Sequence, residues 1–337
     1  MLDATLELNM KMSLKSVIKD ERLVMDGAMG TELEYILPKD SKLHPKSSPL
    51  WSGMALVHNP NLVEQVHKSY VTHGAHILLT LTYQTSYASL KKYTSMNDDE
   101  IYKLWAQSVR VCRRALGNHR GWVFGSIGPY ATYLADASEY TGIYKDATKS
   151  DIQDYHLPLA RYYVNCAGVD AIAFETIPNF SECKVVFNLM LKLIQIKPKC
   201  FYVSFNFRDG NSLTDGTPIR KLVQYINMKL AKHPELEENF LGMGLNCLDF
   251  DLVDDVILSI NAESSTSIPL IVYPNLGYYC CKDQDKYLLD RDIAKWERLV
   301  SQWFSYPNVR VVGGCCLTTP TEIQSIKNLL TANSDTK

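Results

Sequence analysis

The sequence predicts an α/β protein folded as a single (β/α)8 barrel of the TIM type, with its active site at the C-terminal ends of the strands. Three observations lead there. Short β-branched or aromatic runs recur along the chain, each followed by a longer stretch with helical periodicity. No Pro/Gly/Ser-rich linker or block of like charge divides these units into two halves. The 337 residues are enough for one large barrel core. An open doubly wound sheet shares the same alternation and is the competing architecture.

Taken in order, the strands are expected at Arg22–Asp26, Ala75–Thr82, Trp122–Ile127, Val169–Thr176, Phe201–Phe207, Leu241–Asn246, Leu270–Tyr273 and Val309–Val312. Gly, Asn, Asp or Pro ends these runs, as in Asp26-Gly27, Pro274-Asn275 and Gly313-Gly314. Helices are expected between them at Asn61–His73, opened by Asn59-Pro60, and at Asp99–Leu116, Asp151–Ala167 and Ser181–Ile196. Pro38–Met54 has three prolines and several serines and reads as a long loop after the first unit. The domain layout is then an N-terminal extension or helix over 1–20, the barrel over 21–332 and a tail over 333–337.

Lys and Arg total 35 against 37 Asp and Glu, a formal charge of -2. No global field favours nucleic acid, so small neutral or zwitterionic substrates are the expected ligands. No apolar run reaches the roughly 18 residues that a membrane span needs. The stretch MLDATLELNMKMSLK is unlike a secretory or transit peptide. Nine cysteines, an odd number, fit free or metal-bound thiols in a reducing cytoplasm better than a disulfide framework.

The strongest local feature is Gly313-Gly314-Cys315-Cys316, where the last strand ends. Neighbouring strand residues face opposite ways, so two adjacent cysteines reach one metal only if the strand stops being regular. The two glycines supply backbone freedom for that. Cys247 ends the sixth strand at the same face of a barrel and is the candidate third sulfur. Three thiolates with one open position is the arrangement of a catalytic zinc site. Cys280 and Cys281 lack a preceding diglycine and read as loop thiols. Cys112, Cys166, Cys183 and Cys200 lie in or beside apolar segments and read as small buried hydrophobes.

Two carboxylates, Asp26 after the first strand and Glu175 in the fourth, would meet at the barrel mouth. Together they would form a negative pocket for an ammonium group. Asp26 as a turn or cap residue and Glu175 as half of a structural ion pair are the alternatives.

In combination the stretches MDGAMGTELE, SPLWS, TLTYQTS, GSIGPYATYLADASEYTGIY, AIAFETIPN, GLNC, VYPN and GGCCLTTP resemble the homocysteine S-methyltransferase family, in order and over nearly the whole chain. The resemblance implies that Cys247, Cys315 and Cys316 bind Zn2+ and activate the thiol of homocysteine. It implies that Asp26 and Glu175 hold the amino group, with Gly27 and Asn246 in the same substrate site.

For the methyl donor, the resemblance is greatest to the branch that uses a sulfonium compound, S-methylmethionine or S-adenosylmethionine. Gln84 and Thr176 stand where the betaine-using branch has aromatic residues, so a trimethylammonium cage is incomplete. Trp51, Tyr83 and Tyr130 are candidate cation-facing aromatics, or else rim packing. Leu276, Gly277, Tyr278 and Leu317 depart from that branch's usual pattern. A selenohomocysteine, selenocysteine or betaine-dependent methyltransferase, and a non-catalytic zinc- or thiol-binding protein, are the alternatives.

Overall fold

The computed structural model describes residues 13–263, 268–276 and 292–334. Ten strands are present among them: β1 Leu23–Val24, β2 Ile77–Leu79, β3 Trp122–Ile127, β4 Ala171–Ile177, β5 Cys200–Phe205, β6 Phe207–Asp209, β7 Ser212–Leu213, β8 Phe240–Asp249, β9 Leu270–Asn275 and β10 Val309–Val312. Eight form one parallel sheet in the order β1-β10-β9-β8-β5-β4-β3-β2. Its ends meet through a parallel bridge between Met25 and Ile77, with the Asp26 N–H donating to the Ile77 carbonyl at 2.9 Å. The sheet thus closes as a barrel, as the alternation predicts.

The four helices expected from periodicity occur at Pro60–Thr72, Asp98–Leu116, Lys149–Asn165 and Phe180–Ile196, and each start is fixed by a cap. Asn59 and Asn179 each accept a hydrogen bond from the first helical turn. Asn97 with Glu100, and Thr148 with Asp151, form reciprocal capping boxes. Where the strand prediction overran, the apolar signal is continuous but the backbone is not. The run Phe201–Phe207 spans the end of β5 and the start of an antiparallel hairpin, β6 with β7, which the sequence reading did not separate.

A large core lies between barrel and helices, and a smaller one fills the barrel interior. Val17 and Ile18, from a helix over Leu14–Asp20, belong to that interior cluster. Alternation along the strands makes the interior change character toward the C-terminal end. Inward positions run Ala171, Ala173, Glu175 on β4, Phe124, Ser126 on β3, Tyr202, Ser204 on β5 and Ile271, Tyr273, Asn275 on β9. Apolar layers therefore support a polar top, as a packed barrel requires.

Pro38–Met54 is a loop as expected, with one short 3-10 turn at Pro45–Ser47, until a helix begins at Gly53. The last helix runs Pro320–Ser334, just past the predicted start of the tail. Cys280 and Cys281, and Gly277 and Tyr278 among the departures, lie outside the described residues. Among the described residues no helix is long and apolar enough to cross a membrane, and the seven described cysteines are free thiols.

Candidate active site

Cys247, Cys315 and Cys316 converge at the polar end of the barrel, their sulfurs within 4.8 Å of one another. Among the described residues they are the one group of this kind. In a regular β8 the side chain of Cys247 would face the helices, because Asn246 faces inward. A left-handed backbone at Cys247, φ 57°, falls in the register break between Asn246 and Asp249 and undoes that alternation.

The other two sulfurs lie beyond β10 in an irregular segment tied down residue by residue. Gly313 N–H donates to Val272, Gly314 to Asp26 and Cys315 to Pro274, all through carbonyls. Cys316 N–H donates to the Asn275 side chain at 3.1 Å. The glycines matter here for room and not for dihedral freedom, which corrects the sequence-based expectation. A Cβ on Gly313 would stand 2.7 Å from Met25 Cβ, and one on Gly314 would stand 2.3 Å from Thr318 Oγ1. The left-handed residue of this turn is instead Leu317, φ 70°.

The Cys315 and Cys316 thiols donate toward Cys247 and hold its pKa well below the usual thiol range, while their own are pushed up. Cys247 Sγ also accepts from the Asn275 amide and lies 3.7 Å from the Tyr140 hydroxyl. Soft sulfur donors suit zinc better than a hard cation. The 4.0 Å between the Cys315 and Cys316 sulfurs is near the ~3.8 Å edge of a tetrahedron with ~2.3 Å Zn–S bonds.

The two rim carboxylates are both buried. Asp26 Oδ2 accepts from Leu79 N–H at 3.0 Å, whereas Oδ1 has no hydrogen-bond partner among the described residues. Burial, with the charge of Glu175, raises the Asp26 pKa well above the ordinary carboxyl value. Glu175 accepts from the Ser126 and Tyr273 hydroxyls, yet burial and the nearby Cys247 charge leave its pKa at about 7. Once ionised, two buried acids, one with an unsatisfied oxygen, can accept a cation.

Asn246 and Thr176 form one unit. Thr176 occupies the register break of β4 with φ 59°, a costly conformation for a β-branched residue. Asn246 Oδ1 accepts from Thr176 N–H at 3.0 Å and from Ser204 Oγ at 2.6 Å, and its Nδ2 donates to Thr176 Oγ1 at 2.8 Å. Tyr83 hydrogen-bonds Thr176 and feels the charges of Cys247, Glu139 and Glu175. Gln84, the next residue, is half-buried.

Gly27 is packed so closely that a Cβ would meet the Tyr70 ring at 2.8 Å. Trp51, φ 48°, lays its indole over Gly30. Tyr130 packs in a cluster with Tyr133, Tyr144 and Tyr155, and its N–H donates to the buried Glu182. Its described contacts are those of rim packing. Sequence reasoning missed Tyr140, Asn275, Ser126, Ser204 and Tyr273. All but Ser204 lie inside the motifs that carry the family resemblance, but nothing in their spacing ties them to a sulfur or a carboxylate.

The homocysteine S-methyltransferase family model matches residues 23–330. Homocysteine S-methyltransferase of Escherichia coli (strain K12) is 32% identical over 318 residues, covering 92% of this chain and 95% of that one. Betaine-homocysteine S-methyltransferase of Drosophila melanogaster is 31% identical over 293 residues, covering 83% and 86%. The crystal structure of the homocysteine methyltransferase MmuM from Escherichia coli, metallated form, superimposes with a TM-score of 0.72 at 31% identity, covering 97% of this chain and 99% of that one.

Proposed function

Since the chain belongs to the homocysteine S-methyltransferase family, enzymes that transfer a methyl group to homocysteine, we propose that it uses a sulfonium donor and a zinc ion held by Cys247, Cys315 and Cys316. The observation that carries this reading is the convergence of three sulfurs beside two buried carboxylates. When bound, zinc would lower the pKa of the acceptor thiol so that its sulfur reacts as a thiolate.

The protein's own residues do the remaining work. Asp26 Oδ1 and Glu175 take the ammonium of homocysteine, which supplies the partner that the Asp26 oxygen lacks. The Asn275 amide and the Tyr140 hydroxyl hold Cys247 in its left-handed turn. The Asn246 clamp keeps Thr176, and with it Glu175, in place. Once the acceptor has lost its proton, its sulfur lone pair forms the new bond to the methyl carbon. The old bond breaks with its electron pair moving to the donor sulfur, so a sulfonium leaves as a neutral thioether. Holding both partners in line accounts for much of the acceleration.

S-Methylmethionine is the first choice of donor and S-adenosylmethionine the second. Thr176 has its hydroxyl committed to Asn246 and Tyr83 and offers no aromatic face, which argues against a trimethylammonium cage. Similar identity to a betaine-dependent relative means that overall likeness does not separate donors. The free thiols fit a reducing compartment such as the cytoplasm. The test is a competition among S-methylmethionine, S-adenosylmethionine and betaine with homocysteine, following methionine by mass, beside zinc stoichiometry of the reduced protein. Faster turnover with betaine, or full activity in metal-free protein, would contradict the proposal.

A further inference from the structure

Behind Asp26, in the layer between barrel and helices, lie two buried groups that the reaction does not use. His67, on Pro60–Thr72, places Nδ1 3.8 Å from Asp26 Oδ2 and Nε2 3.4 Å from Cys112 Sγ, on Asp98–Leu116. Both side chains are fully enclosed. We propose that Cys112 and His67 form a relay that positions the Asp26 carboxylate, turning Oδ2 inward to the protein and leaving Oδ1 for the acceptor's ammonium. The inference rests on the reading of Asp26 as the amino-group ligand.

Burial holds the His67 pKa down to about 3, so the ring is neutral and one nitrogen carries the proton. With Asp26 ionised, as it is when it holds the ammonium, a proton on Nε2 would leave the Nδ1 lone pair facing a carboxylate oxygen, lone pair against lone pair in a dry environment. A proton on Nδ1 points N–H at Oδ2, and Nε2 is then free to accept from sulfur. Cys112 can supply that hydrogen, because burial pushes its pKa up and the thiol keeps its proton, and of its two acceptors His67 Nε2 at 3.4 Å is nearer than the Leu79 carbonyl at 3.8 Å. The thiol thereby selects the tautomer in which His67 is a donor.

Oδ2 has one hydrogen-bond donor, the Leu79 N–H at 3.0 Å, and beside it His67 Nδ1, a buried nitrogen with no hydrogen-bond partner among the described residues, at 3.8 Å. The second distance is longer than a hydrogen bond. The relay requires this contact to shorten when the ammonium binds Oδ1 and the carboxylate becomes fully charged. His67 is thus a positioning residue that acts through Asp26 and touches neither reacting sulfur.

The test compares homocysteine with γ-mercaptobutyrate, the same thiol acid without the amino group, in the zinc-loaded full chain. His67→Leu should raise KM for homocysteine roughly tenfold, the scale of a lost hydrogen bond to a charged group. It should change kcat/KM for γ-mercaptobutyrate by less than twofold. His67→Asn, which returns a donor near the Nδ1 position, should recover most of the loss. Cys112→Val fits the apolar site, frees the tautomer and should raise KM in the same selective way if His67→Leu folds poorly. Equal losses with both thiols, or an Asn variant no better than the Leu variant, would overturn the relay. Asp26→Asn separates the two readings. An unchanged homocysteine KM there sinks the amino-group role of Asp26, whereas an impaired Asp26→Asn beside unimpaired His67 and Cys112 variants sinks the relay alone.

Discussion

Replacing Asn246 by alanine removes three buried hydrogen bonds at one stroke, the Thr176 N–H at 3.0 Å, the Ser204 hydroxyl at 2.6 Å and the Thr176 hydroxyl at 2.8 Å. The hydroxyls keep other partners, Tyr83 for Thr176 and Tyr273 for Ser204. The Thr176 N–H does not, and an unsatisfied buried donor costs about 1–3 kcal/mol. With the net value of the other two bonds, Asn246→Ala should destabilise the fold by roughly 2–4 kcal/mol. Thr176 also loses the clamp on its left-handed backbone, φ 59°. Thr176→Gly relieves that strain, worth about 1 kcal/mol, while losing the hydroxyl's bonds to Asn246 and Tyr83, so it should cost about 1 kcal/mol. The double variant should then cost less than the sum of the two singles, because a glycine there needs no clamp. Urea denaturation of the four proteins measures these differences, with homocysteine KM as the functional readout. A loss below about 1 kcal/mol for Asn246→Ala, or strict additivity, would refute the claim that Asn246 holds the strained residue beside Glu175.

Three further outcomes follow from the same geometry. Cys316→Ala should lose stoichiometric zinc and methyl transfer while far-ultraviolet circular dichroism stays that of the barrel, and retained turnover would contradict the ligand assignment. Gly314→Ala places a methyl 2.3 Å from Thr318 Oγ1, whose hydroxyl donates to the Cys315 carbonyl, so the sulfur-bearing turn must shift. Zinc affinity should fall by an order of magnitude or more for a strain of roughly 1–3 kcal/mol, measured by chelator competition. Glu175 has a pKa raised from 4.5 to about 7 by burial, so ionising it costs the folded state. Its contribution to stability is therefore greatest below pH 4.5 and falls by roughly 3 kcal/mol as pH rises to about 7. Glu175→Gln should remove that slope in denaturation curves. It should also abolish the fall in homocysteine KM expected for the parent protein as pH rises through 7, and an unchanged KM profile would count against the amino-group role.

The sequence determined the barrel because each strand and helix is written locally. Val309–Val312 has β-branched valine at three of its four positions and a glycine stop, and Asn97 with Glu100 caps a helix three residues apart in the chain. Adjacent Cys315 and Cys316 after that stop marked a candidate metal turn, and Cys247 at another strand end supplied the third sulfur of the group that the fold brings together. The tertiary structure decided what depends on backbone conformation and on partners far apart in the chain. Left-handed residues at Thr176, Cys247 and Leu317 redirect side chains that alternation would send the wrong way, and none is the glycine or asparagine by which such turns are recognised. Tyr140 meets Cys247, and Asn246 meets Thr176, only because the strand ends share one rim. Cys112 reads in sequence as one more buried hydrophobe, and only the packing of the helices Pro60–Thr72 and Asp98–Leu116 on each other puts His67 between it and Asp26. Periodicity is a property of neighbours along the chain, whereas a site is a property of neighbours in space, and closure of the sheet is what converts the first into the second.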